Sequence, residues 1–483
     1  MKKWIAGAGV LGGLFWLLLA ATSQSPAPGD ARAERRPLRF VTVERLSAYD
    51  MLDAMGTNTG LGPQRGGRHP WDLPNRDGEK EVVAALKYLG LNHIRNQGLY
   101  DDPKENVASA FPSAPSDFEN LLKVRAAIPK LQLNYLINAG APGAWSAALQ
   151  ARLAKLARLD LLSYVEAPNE PNNQTTYSPQ GELYPRDETA YQRIWRDWGE
   201  AMRALKRADP IFARVGLLPP TSAVHGVNGP DGVELGYAKA ALTDQRDLYD
   251  LMNIHSYGSA VLGDPRGDVE SGSPRNWGAY QVSIPNWGRD AMPGRPVAIT
   301  ESGANSAEMS EVAQGVQIVG NYFWAKRFGA LRLYQYALVD DSTDLSDRAA
   351  ERWGFYRGDW SRKPAADYVH NLTALLADEA RSDPAKIPGF TVEGPQKSTW
   401  GATMALSKSD GSYVILCNNV LAWWDAERRV DLRPEPEHWT VRLAAPARFT
   451  IADVMTGETT TPKKADRIDV AVKGYPMAIR IWP

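Results

Sequence analysis

The chain has 483 residues, enough for a barrel-sized domain and one accessory domain. Its 55 basic and 56 acidic side chains nearly cancel and no Lys/Arg-rich block stands out, so nothing in the charge points to nucleic acid. The single cysteine, Cys417, excludes an intramolecular disulfide and a cysteine-built zinc site, and the six histidines show no metal-ligand spacing.

Residues 1–36 read as a targeting segment. Lys2 and Lys3 precede an apolar run from Ile5 to Ala21, and a polar stretch with Pro26 and Pro28 follows. This is the pattern of a secretory signal or of an uncleaved N-terminal membrane anchor, although the run is short for a spanning helix. Either reading places the folded part outside the cytoplasm, as a periplasmic or secreted protein or one held at the inner membrane.

From residue 37 to residue 386, strand and helix signals alternate, which predicts a parallel sheet with crossover helices. Eight units fit, with strands at Ala54–Thr59, Leu91–Arg95, Leu131–Ile137, Leu161–Ala167, Ala213–Leu218, Leu251–His255, Val297–Thr300 and Leu331–Ala337. Helices are expected at Glu79–Leu89, Asp117–Ile128, Ala144–Leu159, Glu188–Lys206, Ala307–Phe328 and Pro364–Leu376. The units after the fifth and sixth strands carry weaker helix signals. Tyr237–Leu242 is short, and Gly258–Asn286 is rich in Gly, Pro, Ser and Asp and reads as a long loop. Eight alternating units predict a (β/α)8 barrel, an α/β fold. From residue 387 to residue 483 short strands follow one another without helices, which predicts a β-sandwich. Cys417, in the apolar run Tyr413–Cys417, is expected as a buried small hydrophobe.

Barrel enzymes carry their chemistry at the C-terminal ends of the strands. The fourth strand opens into Ala167-Pro168-Asn169-Glu170-Pro171-Asn172, and the seventh into Ile299-Thr300-Glu301-Ser302-Gly303. Each supplies a carboxylate at the barrel mouth. Two carboxyl groups flanking a sugar bond are what glycoside hydrolysis requires, one to protonate the leaving oxygen and one to attack the anomeric carbon. The two strands are expected on roughly opposite sides of the ring. A third carboxylate, Glu166, lies within the fourth strand and is expected as a buried group behind the site.

Asn169-Glu170-Pro171 after the fourth strand, with Glu301 after the seventh, resembles the 4/7 superfamily (clan A) of retaining barrel glycosidases. The Asn-Glu-Pro-Asn form and the trailing sandwich look most like family thirty-nine, which includes β-xylosidases, iduronidases and bacterial exopolysaccharide endoglycosidases. The resemblance implies Glu170 as acid/base and Glu301 as nucleophile. It implies that Asn169 bonds the sugar 2-hydroxyl, that Arg95 stands beside the nucleophile, and that His255 and Tyr257 line the site, Tyr257 donating to Glu301. Where many relatives end the eighth strand with a tryptophan, this chain has Tyr336. Trp277, Trp287, Trp353 and Trp360 are candidate sugar platforms, each with core packing as the competing role.

The implied substrate is a polysaccharide or oligosaccharide, with a role in bacterial exopolysaccharide production or turnover and with no metal or organic cofactor required. A transglycosylase using the same intermediate, or a non-catalytic polysaccharide-binding barrel, is the alternative.

Overall fold

The computed structural model describes residues 39–40, 43–61, 78–98, 117–137, 139–140, 143–171, 175–185, 188–221, 245–256, 292–340, 352–394 and 401–483. Residues 1–36, expected as a targeting segment, Tyr257, Trp277, Trp287 and the helix expected at Tyr237–Leu242 lie outside these residues. Among the described residues, no helix is long and apolar enough to cross a membrane.

Eight parallel strands form the barrel: β3 (Met55–Asn58), β4 (His93–Gly98), β5 (Gln132–Ile137), β6 (Leu162–Glu166), β7 (Gly216–Leu218), β8 (Met252–His255), β9 (Val297–Gly303) and β10 (Arg332–Tyr336). They are joined in the order β7-β6-β5-β4-β3-β10-β9-β8. The seam between β7 and β8 is closed by the Leu217 carbonyl, which accepts from Asp250 N at 2.9 Å and Leu251 N at 3.3 Å. Around the barrel stand α2 (Gly78–Leu89), α3 (Asp117–Ala127), α4 (Ala147–Arg158), α5 (Glu188–Ala208), α6 (Glu311–Arg327) and α7 (Pro364–Leu376), and a short α1 (Ala48–Asp53) precedes β3. The strands are buried, with Leu, Ile, Val and Ala interleaved with buried polar side chains, among them Asn58, Arg95, Asn134, Glu166, Asn253 and Thr300.

Local chemistry accounts for where expected boundaries move. The helix expected from Ala307 begins at Glu311, because Ser310 caps it by accepting from Ala313 N at 3.1 Å. The second barrel strand starts at His93 rather than Leu91, since Leu91 N is held by the Leu86 carbonyl at the end of α2. Arg95 therefore sits in the middle of its strand, not at its end.

The second sheet contains β1 (Arg39–Phe40), β2 (Val43–Ser47), β11 (Phe390–Gly394), β12 (Gly401–Ser407) and β13 (Tyr413–Asn419). After a small hairpin, β14 (Trp424–Asp425) with β15 (Val430–Asp431), it is completed by β16 (Glu437–Asp453), β17 (Lys463–Val472) and β18 (Met477–Trp482). Two strands are expected between Thr440 and Val454, yet β16 is continuous over 17 residues. Its first half pairs with β11 and its second half with β18, so this one strand joins the two ends of the sheet. Its pairing with β17 shifts register between Arg442 and Ala447, a stretch that includes Pro446, which has no N–H to donate. The segment before the barrel also joins this sheet, β1 pairing with β11 and β2 running parallel to β12. Cys417 is fully buried in β13, as expected.

Most described tryptophans pack. Trp195, Trp198 and Trp439 are among the largest fully buried side chains, and Trp360, a candidate platform by sequence, is 7% exposed and stands against Tyr356.

Beyond β10 the chain is fastened by a buried ion pair. Lys363 Nζ donates to Asp340 Oδ1 at 2.6 Å, with both side chains 1% exposed. Burial pushes the Asp340 carboxyl above its ordinary value and pulls the Lys363 amine below its own, despite their mutual attraction. Replacing one partner strands the other charge. Lys363→Met should lower unfolding free energy by about 3 kcal/mol or more, and adding Asp340→Asn should recover part of that loss. Urea denaturation of the single and double variants checks this; equal stability of wild type and Lys363→Met would refute it.

Candidate active site

The geometry is built on Arg95. Its guanidinium has five N–H bonds and meets five acceptors. Nε and Nη2 donate to the two oxygens of Glu166, each at 2.8 Å. Nη2 also donates to Asn169 Oδ1 at 2.8 Å, while Nη1 donates to Asn58 Oδ1 at 2.8 Å and to Glu301 Oε1 at 2.7 Å. The side chain is 3% exposed. Burial alone would weaken its charge, but Glu166 and then Glu301 outweigh burial and hold the guanidinium protonated even more firmly than usual.

Glu166 is fully buried at the end of β6. Asn134 Nδ2 donates to its Oε2 at 2.6 Å, and the Thr300 hydroxyl, shared with Asn253, lies 3.2 Å from its Oε1. Burial works to raise its pKa, yet the Arg95 charge and hydrogen bonds prevail and hold it below the ordinary carboxylate value. Asn58, on the other side of Arg95, is oriented by donating to the Thr300 carbonyl at 3.0 Å and the Tyr334 carbonyl at 3.2 Å.

Glu170 lies four residues beyond Glu166, where the chain has left the strand. Its φ is +38°, a conformation that costs a non-glycine residue about 1–3 kcal/mol and that clusters at functional sites. Its Oε1 stands 2.7 Å from His255 Nδ1. The same nitrogen is 3.5 Å from Glu301 Oε2. His255 is 2% exposed, and its other nitrogen, Nε2, faces Thr221 Oγ1 at 3.1 Å. Two proton arrangements satisfy this chain. In one, Nδ1–H donates to an ionised Glu170 and the Thr221 hydroxyl donates to Nε2. In the other, a protonated Glu170 donates to bare Nδ1 and Nε2–H donates to Thr221.

The strand order explains why one histidine reaches both glutamates. β6 and β9 are not opposite each other but three steps apart, through β7 and β8. His255 ends β8, between them. A carboxylate oxygen of Glu170, His255 Nδ1 and a carboxylate oxygen of Glu301 all lie within 4.8 Å of one another. These three atoms would also suit a divalent cation, which would occupy the very oxygens that the two glutamates offer to a substrate.

Arg95, Asn169, Glu170, His255 and Glu301 thus converge on one mouth. Tyr336 ends β10, half-buried, with its ring edge-on to Trp353. Tyr257 lies outside the described residues. The sequence reading missed Asn58, Asn134, Thr221, Asn253 and Thr300, all buried polar groups. A signal was present for most of them: each of Asn58, Asn134, Asn253 and Thr300 interrupts an apolar strand, and a buried polar group needs a partner.

No protein-family model matches the chain, and no curated protein matches it in sequence. Solved structures do match. A family 39 glycoside hydrolase from the gut symbiont Bacteroides cellulosilyticus WH2 aligns over 91% of this chain and 83% of its own, at 15% identity and a TM-score of 0.52. A monomeric β-xylosidase from Caulobacter crescentus CB15 covers 92% and 98%, at 14% identity and a TM-score of 0.51. A family 51 α-L-arabinofuranosidase from Bifidobacterium longum covers 92% and 98%, at 13% identity and a TM-score of 0.54. The chain has the fold of these glycoside hydrolases. At such identities the likeness is one of fold, and the case for chemistry rests on the side chains described above.

The lowered pKa of Glu166 has a signed consequence for stability. A carboxyl that ionises more readily when folded contributes stability above its ordinary value of 4.5, and that contribution disappears as pH falls toward the folded value. Glu166→Gln should therefore cost about 2–4 kcal/mol at neutral pH and flatten the loss of stability below about pH 4.5. Urea unfolding at stepped pH measures both; an acid slope as steep as wild type's would contradict the assignment.

Proposed function

We propose that this protein is a retaining glycoside hydrolase, with Glu301 as nucleophile and Glu170 as acid/base, acting on a polysaccharide or oligosaccharide. The observation that carries the reading is that a carboxylate oxygen of Glu170 and one of Glu301 lie within 4.8 Å of each other at one barrel mouth, with His255 Nδ1 as near to both. Retaining enzymes hold their pair about 5–5.5 Å apart, whereas inverting enzymes leave about 6.5–9.5 Å for a water molecule. The spacing supports a covalent intermediate.

The surroundings divide the roles. Glu301 is bonded to the Arg95 cation, which fixes one of its carboxylate oxygens in place and suits it to the part of nucleophile. Glu170 faces His255, a neighbour that can give or accept a proton. In the first step the Glu170 proton passes to the glycosidic oxygen as Glu301 attacks the anomeric carbon, and the leaving sugar departs with that proton. In the second step Glu170 takes a proton from water, the resulting hydroxide displaces Glu301, and the configuration is restored. Asn169, held by Arg95 through its carbonyl oxygen, keeps its amide N–H groups for a sugar hydroxyl.

Each role has its own signature. Glu170→Ala should slow hydrolysis of substrates with poor leaving groups by about 10²–10⁴-fold. It should spare the first step for good leaving groups, and added azide should give a glycosyl azide of retained configuration. Glu301→Gly with azide should give the inverted product. NMR of the products distinguishes the cases, and exchanged outcomes would reverse the assignment.

The same proposal places the protein outside the cytoplasm, with a role in exopolysaccharide production or turnover, on the strength of Lys2, Lys3 and the apolar run from Ile5 to Ala21. Residues 1–36 fused to a phosphatase that is active only after export should yield active reporter. An inactive, cytoplasmic fusion would overturn this part of the reading.

A further inference from the structure

Two residues beyond Glu301, β9 carries Gly303. Strand alternation turns position 303 to the same side as Glu301. A Cβ there would lie 2.7 Å from Cε3 and 3.1 Å from Cζ3 of Trp353. The missing side chain thus makes room for the Trp353 indole over the strand of the candidate nucleophile. The indole is half-buried and meets the half-buried ring of Tyr336 edge-on, with centroids 6.3 Å apart and planes at 72°.

The backbone that carries this indole is tied down on both sides. Arg352 N donates to Asn305 Oδ1 at 3.1 Å. The Arg352 carbonyl accepts from Ser306 N at 3.0 Å, Ser306 Oγ at 3.1 Å, Gln314 Nε2 at 2.9 Å and Lys363 Nζ at 3.2 Å. The Trp353 carbonyl accepts from Ala337 N at 3.1 Å, and Gly354 N donates to Asp340 Oδ1 at 2.7 Å. By contrast, Trp195 and Trp198 are held by burial itself, at 1% and 0% exposure. A large half-buried aromatic plate, its backbone tied by hydrogen bonds and its ring against the strand that carries Glu301, has the properties of a preorganised binding surface. Its natural counterpart is a sugar ring that presents a face of axial C–H bonds.

We propose that Trp353, with Tyr336 at its edge, is a sugar-stacking platform next to Glu301, donated by the segment beyond the eighth barrel strand. The inference rests on the glycosidase reading and adds a specificity-determining contact to it. Gly303 belongs to the platform as the position that must stay without a side chain.

The test uses the full chain carrying Glu301→Gln, which removes turnover, titrated with glycans drawn from a panel that the wild type is first tested against. Adding Trp353→Ala should weaken glycan binding about ten-fold or more with the melting temperature little changed. Adding Trp353→Phe should keep most of the affinity and abolish the ligand-induced change in tryptophan emission. Unchanged affinity in the Ala variant would overturn the platform and leave the glycosidase reading standing. If the Ala variant does not fold, the Phe variant decides, and an emission change equal to the parent's overturns the platform. A wild type that neither binds nor cleaves any glycan would overturn both.

Discussion

The site depends on a single buried guanidinium. Arg95 is buried inside a parallel barrel, and its five N–H bonds are spent on four side chains from three places in the fold. Asn58 comes from β3, Glu166 and Asn169 from β6 and its exit, and Glu301 from β9. An isolated charge at this depth would be prohibitive, so these partners are conditions for Arg95 being there at all. The planar fork also fixes angles as well as distances, which a lysine ammonium could not do. Glu166 takes up two of the donors through both its oxygens and thereby sets the plane in which Nη1 meets Glu301.

Two glutamates of the same chemistry receive different surroundings from this arrangement. Glu301 is tied to the cation, whereas Glu170 stands past the end of its strand on backbone of positive φ and meets a histidine instead. His255 can meet either protonation state of Glu170 by exchanging donor and acceptor roles with Thr221. The two carboxylates meet on one imidazole, His255 Nδ1 lying 2.7 Å from Glu170 and 3.5 Å from Glu301. That meeting follows from strand order, because β8 lies between the seam strand β7 and β9 and delivers His255 into the gap.

Rigidity around the mouth is supplied by buried polar connections more than by the strands alone. The Asp340–Lys363 pair joins the two ends of the segment that follows β10, and Ser306 and Gln314 bind that segment to the exit of β9 and to α6. The second sheet is continuous with this construction. Helix α7 meets it through Asn371, whose amide donates to the Val454 carbonyl, and through Lys408, whose amine reaches the Leu375 and Ala377 carbonyls at the helix end. The strand β2 that precedes the barrel is clamped in the same sheet, so chain entering and leaving the barrel is anchored by one sandwich.

Much of this was legible in the order of residues. Short apolar runs alternating with amphipathic helices define a barrel, because a parallel strand needs a crossover helix to reach its neighbour and burial of both faces keeps it largely apolar. The end of each strand marks the mouth, so Glu170, Glu301 and His255 could be picked out by position alone. The sequence by itself therefore determined the fold class and the carboxylate pair. Closure in three dimensions decided the rest. Only the packed side chains show that His255 Nδ1 reaches both Glu170 and Glu301. Only the packed interior shows that Asn58, Asn134 and Thr300 hold Arg95 and Glu166, since their partners lie tens to hundreds of residues away in the chain. The bend of β16 and the pairing of β2 with β12 were hidden for the same reason. Local pattern reports which face of a segment avoids water, and it carries no record of which distant segment covers it.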